Sequence, residues 1–244
     1  MMTISTKHKR ASLRLVMPLL AATFLTACVS SNKDDDQKDT ENRTFQITVT
    51  NLTANQPLSP LAVIAHTSGY HAFTEGSPAS VGLEILAEGG ANGDLLAEAE
   101  SATQYLDSNS GTGPIGPGGS STVEVSVTEG SSTYLSVVSM LVNTNDAFTA
   151  ADNYNVGDLA LNESRTMSLP VWDAGTELNS EEAGTIPGPA AGGEGYNAER
   201  DDIADFVSIH RGVISSDDGL ADSVLNESHR FDNPAARLTV TRID

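Results

Sequence analysis

"TFQITVTNLT", residues 44–53, alternates apolar and polar side chains, so that Phe45, Ile47 and Val49 share one face and Gln46, Thr48 and Thr50 the other. A helix would scatter these residues round its axis, whereas a pleated strand with one buried face gathers them. The same period of two recurs in "TVEVSVTE", residues 122–129, through Val123, Val125 and Val127, and "ARLTVTRI", residues 236–243, closes the chain with Leu238, Val240 and Ile243. "TYLSVVSMLV", residues 133–142, is apolar nearly throughout, as expected of a central strand covered on both faces. "RTMSLPVW", residues 165–172, reads as a further strand. Glycine and proline punctuate these runs, above all in "SGTGPIGPGGSS" and "IPGPAAGGEG".

Two segments read as short helices. "SPASVGLEILAEGG", residues 77–90, places Ser77 as a cap and Pro78 in the first turn, with Val81, Leu83, Ile85 and Leu86 before the stop at Gly89 and Gly90. "NAERDDIADFVSIH", residues 197–210, is the second. Strands and turns with one or two short helices predict a mostly-β chain, an antiparallel β-sandwich.

The N-terminus gives an expected address. Lys7, Lys9, Arg10 and Arg14 precede an apolar run over residues 15–25, interrupted at Pro18 and followed by "LTAC" ending at Cys28. That is the pattern of a signal peptide over residues 1–27, too short for a permanent membrane span. "LTAC" is similar to the lipobox of bacterial lipoproteins, which implies acylation of Cys28 and a lipid anchor. Cys28 is the one cysteine in the chain, so an internal disulfide is excluded. Val29 stands where an inner-membrane retention signal would place Asp, which in a Gram-negative host points to the outer membrane. Residues 28–43, including "SSNKDDDQKDTENR", read as a lipidated N-terminus and disordered tether. The folded domain is expected over residues 44–244, roughly 200 residues, enough for one substantial core.

The chain has 13 Lys and Arg against 33 Asp and Glu, a net charge of −20. Loss of residues 1–27 would remove four cations and no acids, leaving nine against 33 and a net of −24. Such a chain is no nucleic-acid binder, and charge would not hold it to anionic lipid. Acidity of this kind also serves solubility alone.

Negative charge is densest around the sole tryptophan. "LPVWDAGTELNSEE", residues 169–182, carries Asp173, Glu177, Glu181 and Glu182 within ten residues of Trp172. By spacing alone, Asp173 and Glu177 flank a tight turn, where paired acids commonly cap and solvate a loop. "NSEE" reads as solvated surface.

The ordered pieces resemble the spondin N-terminal domain found in F-spondin, mindin and bacterial exported proteins. The resemblance is carried by "FQITVTNLT", "LSPLAVIAHTSG", "EGSPASVGLEILAEGG", "SVVSMLVNTNDAF", "VWDAGTELNSE" and "NPAARLTVTRI", in the family's order. It implies a C2-like β-sandwich with calcium held in loops at one end. It also implies the ligands: Asp146 in "NTNDAF", Asp173 in "WDAGTE", and Glu177 where the family often has Asp. Calcium takes six to eight oxygens from carboxylates, carbonyls and water, and tolerates irregular geometry. Glutamate is longer by one methylene and can still ligate. Asp152 and Asp158 are the next acids along the chain that could complete a shell.

Other chemistries find little support. His66 and His71 are broken by Gly69, so they form no zinc-binding helical face, and His66 reads as a buried structural residue. His210 and His229 stand isolated. The chain has no G-x-S-x-G elbow and no P-loop lysine, and its 5% aromatic content leaves little for a sugar-stacking cleft. The expectation is a non-enzymatic, calcium-dependent binding or adhesion module at the cell envelope, meeting an extracellular protein or matrix ligand. Two alternatives stay open: a structural envelope protein without a calcium-dependent surface, and a hydrolase using the acidic cluster.

Overall fold

The computed structural model describes residues 41–199 and 204–244. The expected signal peptide, Cys28 and most of the expected tether lie outside the described residues. Two antiparallel sheets form the frame. The four-stranded sheet contains β1 (Asn42–Asn51), β4 (Ser120–Thr128), β7 (Ser164–Leu169) and β10 (Ala236–Arg242), in the order β4-β1-β10-β7. The six-stranded sheet contains β2 (Ala62–His66), β3 (Tyr105–Ser110), β5 (Tyr134–Met140), β6 (Ala147–Asn155), β8 (Val171–Asp173) and β9 (Ser208–Ile209), in the order β3-β2-β5-β6-β8-β9.

The alternation in the sequence determines which faces meet. Phe45, Ile47 and Val49 of β1, Val123, Val125 and Val127 of β4, and Leu238 and Val240 of β10 are buried in one cluster with Val63, Leu135 and Val137 of the opposite sheet. Outward threonines and serines pair across the strands, as in Thr48 with Thr122 at 2.9 Å and Ser164 with Thr241 at 2.8 Å. Ile243 falls beyond β10 and is exposed instead of sharing the face of Val240.

β5 is buried on both faces because a third layer covers the six-stranded sheet. Ile64, Val138, Met140 and Phe148 pack against Leu83, Leu86, Leu95 and Ala99 of α1 (Val81–Gly89) and α2 (Gly93–Glu100). Ser80, not Ser77, caps α1, its hydroxyl accepting from Leu83 N at 3.2 Å. Gly90, at φ 73°, closes the helix by donating its N–H to Leu86 O at 2.8 Å. A Cβ on Gly82 would overlap the backbone of Leu95, so that position lets the two helices approach closely. The sequence reading missed α2; its signal is Leu95 and Ala99, four apart and both buried.

Three expectations need correction. Residues 204–210 are not helical: Asp205 N donates to Gly175 O, Gly76 N to Val207 O and Val207 N to Ser77 O, so the backbone groups a helix needs are engaged elsewhere. "RTMSLPVW" is two strands, not one. Pro170 breaks it, and the chain leaves the four-stranded sheet at Leu169 to enter the six-stranded sheet at Val171. The folded domain also begins earlier than residue 44. Arg43 lies within β1, 3% exposed, donating to Gly157 O at 2.8 Å and to Ser131 O, and pairing with Glu129 at 3.3 Å.

Candidate functional site

The register of β6 against β8 brings the two acidic segments together. Ala147 pairs with Asp173, so Asp146, just before β6, faces the turn that follows Asp173. Ala174 N donates to Asp146 O at 3.3 Å, tying the segments at the sheet's end. The β5–β6 loop is braced by its own hydrogen bonds: Leu141 N donates to Ala147 O at 2.8 Å and the Thr144 hydroxyl to Leu141 O at 2.6 Å.

Asp146 is fully buried. One carboxylate oxygen, Oδ2, accepts from Thr176 N at 2.9 Å and Glu177 N at 3.2 Å. The other, Oδ1, is buried with no hydrogen-bond partner. Burial above all, then the charge of Asp173, pushes the Asp146 carboxyl up to about 8; the two backbone N–H donors act the other way.

Gly175 shapes the turn. Its φ is +75°, and a Cβ there would overlap the backbone of Phe206, which passes directly over it. Asp173 Oδ1 accepts from Gly175 N at 2.9 Å, and Oδ2 accepts from the Asn179 amide at 2.7 Å. Glu177 is buried and accepts from the Asn145 amide at 3.1 Å. Asp146, Asp173 and Glu177 are therefore neighbours, each with partners of its own. Among the described residues, no group of three or more His, Cys, Asp or Glu is gathered closely enough to hold an ion. The donor chemistry still suits a hard divalent cation, because a buried carboxylate oxygen without a proton donor is the atom such an ion would satisfy.

Asp152 and Asp158 do not belong to this group. Asp152 faces elsewhere, accepting from Ser136 Oγ at 2.7 Å and Ala72 N at 2.8 Å and lying 2.6 Å from His71 Nδ1. Asp158 is paired with Arg165 at 3.0 Å. His66 is fully buried, with Nδ1 on Thr67 O at 2.9 Å and Nε2 on Ser136 Oγ at 3.0 Å, and burial lowers its pKa. Trp172 points to the opposite face from Asp173, as strand alternation requires. It packs against Phe73 with ring centroids 5.1 Å apart, so it borders the helical layer, not the acids.

Residues outside the expected set complete the acidic end. Gly212 N donates to His210 Nδ1 at 2.9 Å, so the proton sits on Nε2, which lies 3.2 Å from Asn179 Oδ1. His210 is thus neutral, in keeping with the downward shift that burial imposes on it, and it orients Asn179 toward Asp173. Glu181, expected at the surface, is 1% exposed. Oε1 accepts from Ile214 N at 3.2 Å, while Oε2 has no hydrogen-bond partner, and burial pushes the carboxyl up to about 7. The doublet "EE" looks solvated in sequence; the positive φ of Glu181, 57°, turns it inward instead.

These features define a two-sheet, mostly-β domain with an acidic, loop-built end. The chain belongs to the Spondin_N family, whose model matches residues 44–185. The match takes in all but the first two residues of β1, the strands from β2 to β8 and all three expected ligands; β9 and β10 lie beyond it. None of the curated proteins compared with the chain matches it.

Proposed function

We propose that this chain is an exported binding or adhesion module, lipid-anchored through Cys28 at the bacterial outer membrane, with calcium ordering the acidic end. The family supports the broad part of this reading, an extracellular binding module. The calcium part is carried by one observation: Asp146 Oδ1, fully buried, without a proton donor, in a carboxylate whose neighbours include Asp173 and Glu177. Asp146, Asp173 and Glu177 would hold the ion. Calcium would supply the positive charge that keeps three adjacent acids ionised together. The expected partner is an extracellular protein or matrix ligand, with no nucleic acid and no catalytic step.

Calorimetric titration of calcium, with melting followed in parallel, tests the metal. Wild type should bind with Kd of about 0.1 to 1 mM, as extracellular modules do, and melt higher when saturated. Asp146→Asn and Asp173→Asn should each abolish both effects. Absence of binding at several times about 1 mM would remove calcium from the reading. Mass spectrometry of the exported chain tests the anchor: acyl chains on Cys28, lost in Cys28→Ala, are expected.

A further inference from the structure

A cavity of about 430 Å³ opens beside the acids, between the turn after β8 and the segment running through β9. Among the described residues, eight large apolar side chains are exposed, and four of them, Leu178, Phe206, Ile209 and Ile214, line this one cavity. Scattered exposed leucines need no explanation, whereas a cluster around a concave, ligand-sized space marks an interaction site. Its charge is also distinctive. Asp173, Glu177 and Glu181 contribute three carboxylates against one guanidinium, Arg211. His210 lines it too but is neutral by its hydrogen bonds, so it offers no charge to repel a cation.

We propose that this cavity docks a basic, apolar segment of a partner protein, whose Lys or Arg side chain enters toward Glu181 while its apolar neighbours cover the exposed rim. Glu181 is nine-tenths buried or more, with Oε2 lacking a partner, and a buried acceptor in that condition is costly until a donor arrives. A long side chain with an apolar stem and a charged tip matches both the rim and the floor. A chain of net charge −20 also favours a basic partner over an acidic one. The proposal rests on the binding-module reading but not on calcium: Glu181, the group the incoming side chain meets, is outside the metal set, while Asp173 and Glu177 border both sites.

The test uses the full chain and labelled synthetic peptides, in EDTA and in about 5 mM calcium. Each peptide is leucine- and isoleucine-rich, with a central Arg in one and its neutral isostere citrulline in the other. Fluorescence anisotropy should show the Arg peptide binding about tenfold or more tightly. Glu181→Gln should erase that preference with the melting temperature preserved, and Phe206→Ser should weaken both peptides. Equal binding of the two peptides overturns the proposal. So does a preference that survives Glu181→Gln, or binding that survives Phe206→Ser. Should Glu181→Gln fail to fold, the peptide comparison on wild type and the exposed Phe206→Ser still decide. A dimer in sedimentation that Phe206→Ser dissolves would assign the face to a second copy and overturn the proposal likewise. Calorimetry on the same samples separates the two readings: peptide binding without calcium binding removes only the metal, and calcium binding without peptide binding removes only the pocket.

Discussion

At the scale of single residues, the acidic end depends on groups whose surroundings set their behaviour more than their type does. Asp146 and Glu181 are buried, each with one oxygen idle, while Asp173 is fully engaged by Gly175 and Asn179. Gly175 is the residue that permits this, combining a left-handed backbone with a position under Phe206 that leaves no room for a side chain. Gly175→Ala should therefore cost about 2 kcal/mol or more, combining left-handed strain with displacement of the Phe206 segment. Urea denaturation measures it; a loss near zero would show that the turn tolerates a Cβ. Its calcium titration should be impaired as well, because Thr176 N and Glu177 N would no longer be held against Asp146.

At the scale of elements, each sheet is secured at places the strand pattern does not mark. The cap of α1 is one, since Ser80 both accepts from Leu83 N and donates to Glu98 Oε2 of α2 at 2.6 Å. Glu98 Oε1 in turn accepts from Gly82 N at 2.7 Å, so one carboxylate ties both helices together. Ser80→Ala should cost about 1 to 2 kcal/mol, whereas Ser77→Ala should change stability by less than about 0.5 kcal/mol. Equal losses in chemical denaturation would return the cap to Ser77. Because α1 and α2 cover only the outer face of the six-stranded sheet, neither variant should alter calcium binding.

At the scale of the whole molecule, buried titratable groups set a pH profile. Asp146 and Glu181 have folded-state pKa values raised above their ordinary values, to about 8 and about 7. Their contribution is complete below the ordinary carboxylate range and is lost as pH rises through those values. His66, His210 and His229 are lowered by burial, so their contribution is complete above their ordinary 6.5 and is lost as pH falls below it. Between about pH 7.5 and 9 the histidines are neutral in both states and the tyrosines, Tyr70 raised to about 12 among them, are still protonated, so the acids dominate the change. In EDTA, melting should fall by about 2 °C or more between about pH 7.5 and 9, and calcium should cancel the share due to Asp146. A flat profile in EDTA would mean that these carboxyls are not held protonated.

Sequence alone determined the strand faces and the family. Period-two alternation survives any tertiary arrangement that buries one face, so Phe45, Ile47, Val49, Val123, Val125, Val127, Leu238 and Val240 were legible as core. It also named Asp146, Asp173 and Glu177 as a group, through the resemblance and not through spacing. Tertiary structure decided the rest. Pro170 could be read as a break, but that it passes the chain from one sheet to the other depends on strand order. The meeting of Asp146 with the turn after Asp173 depends on the register of Ala147 with Asp173. Glu181, Asn179 and His210 join the acidic end only because the loops after β8 and β9 fold against each other. Burial of a polar residue is a property of what the rest of the chain places over it, and no local pattern encodes that.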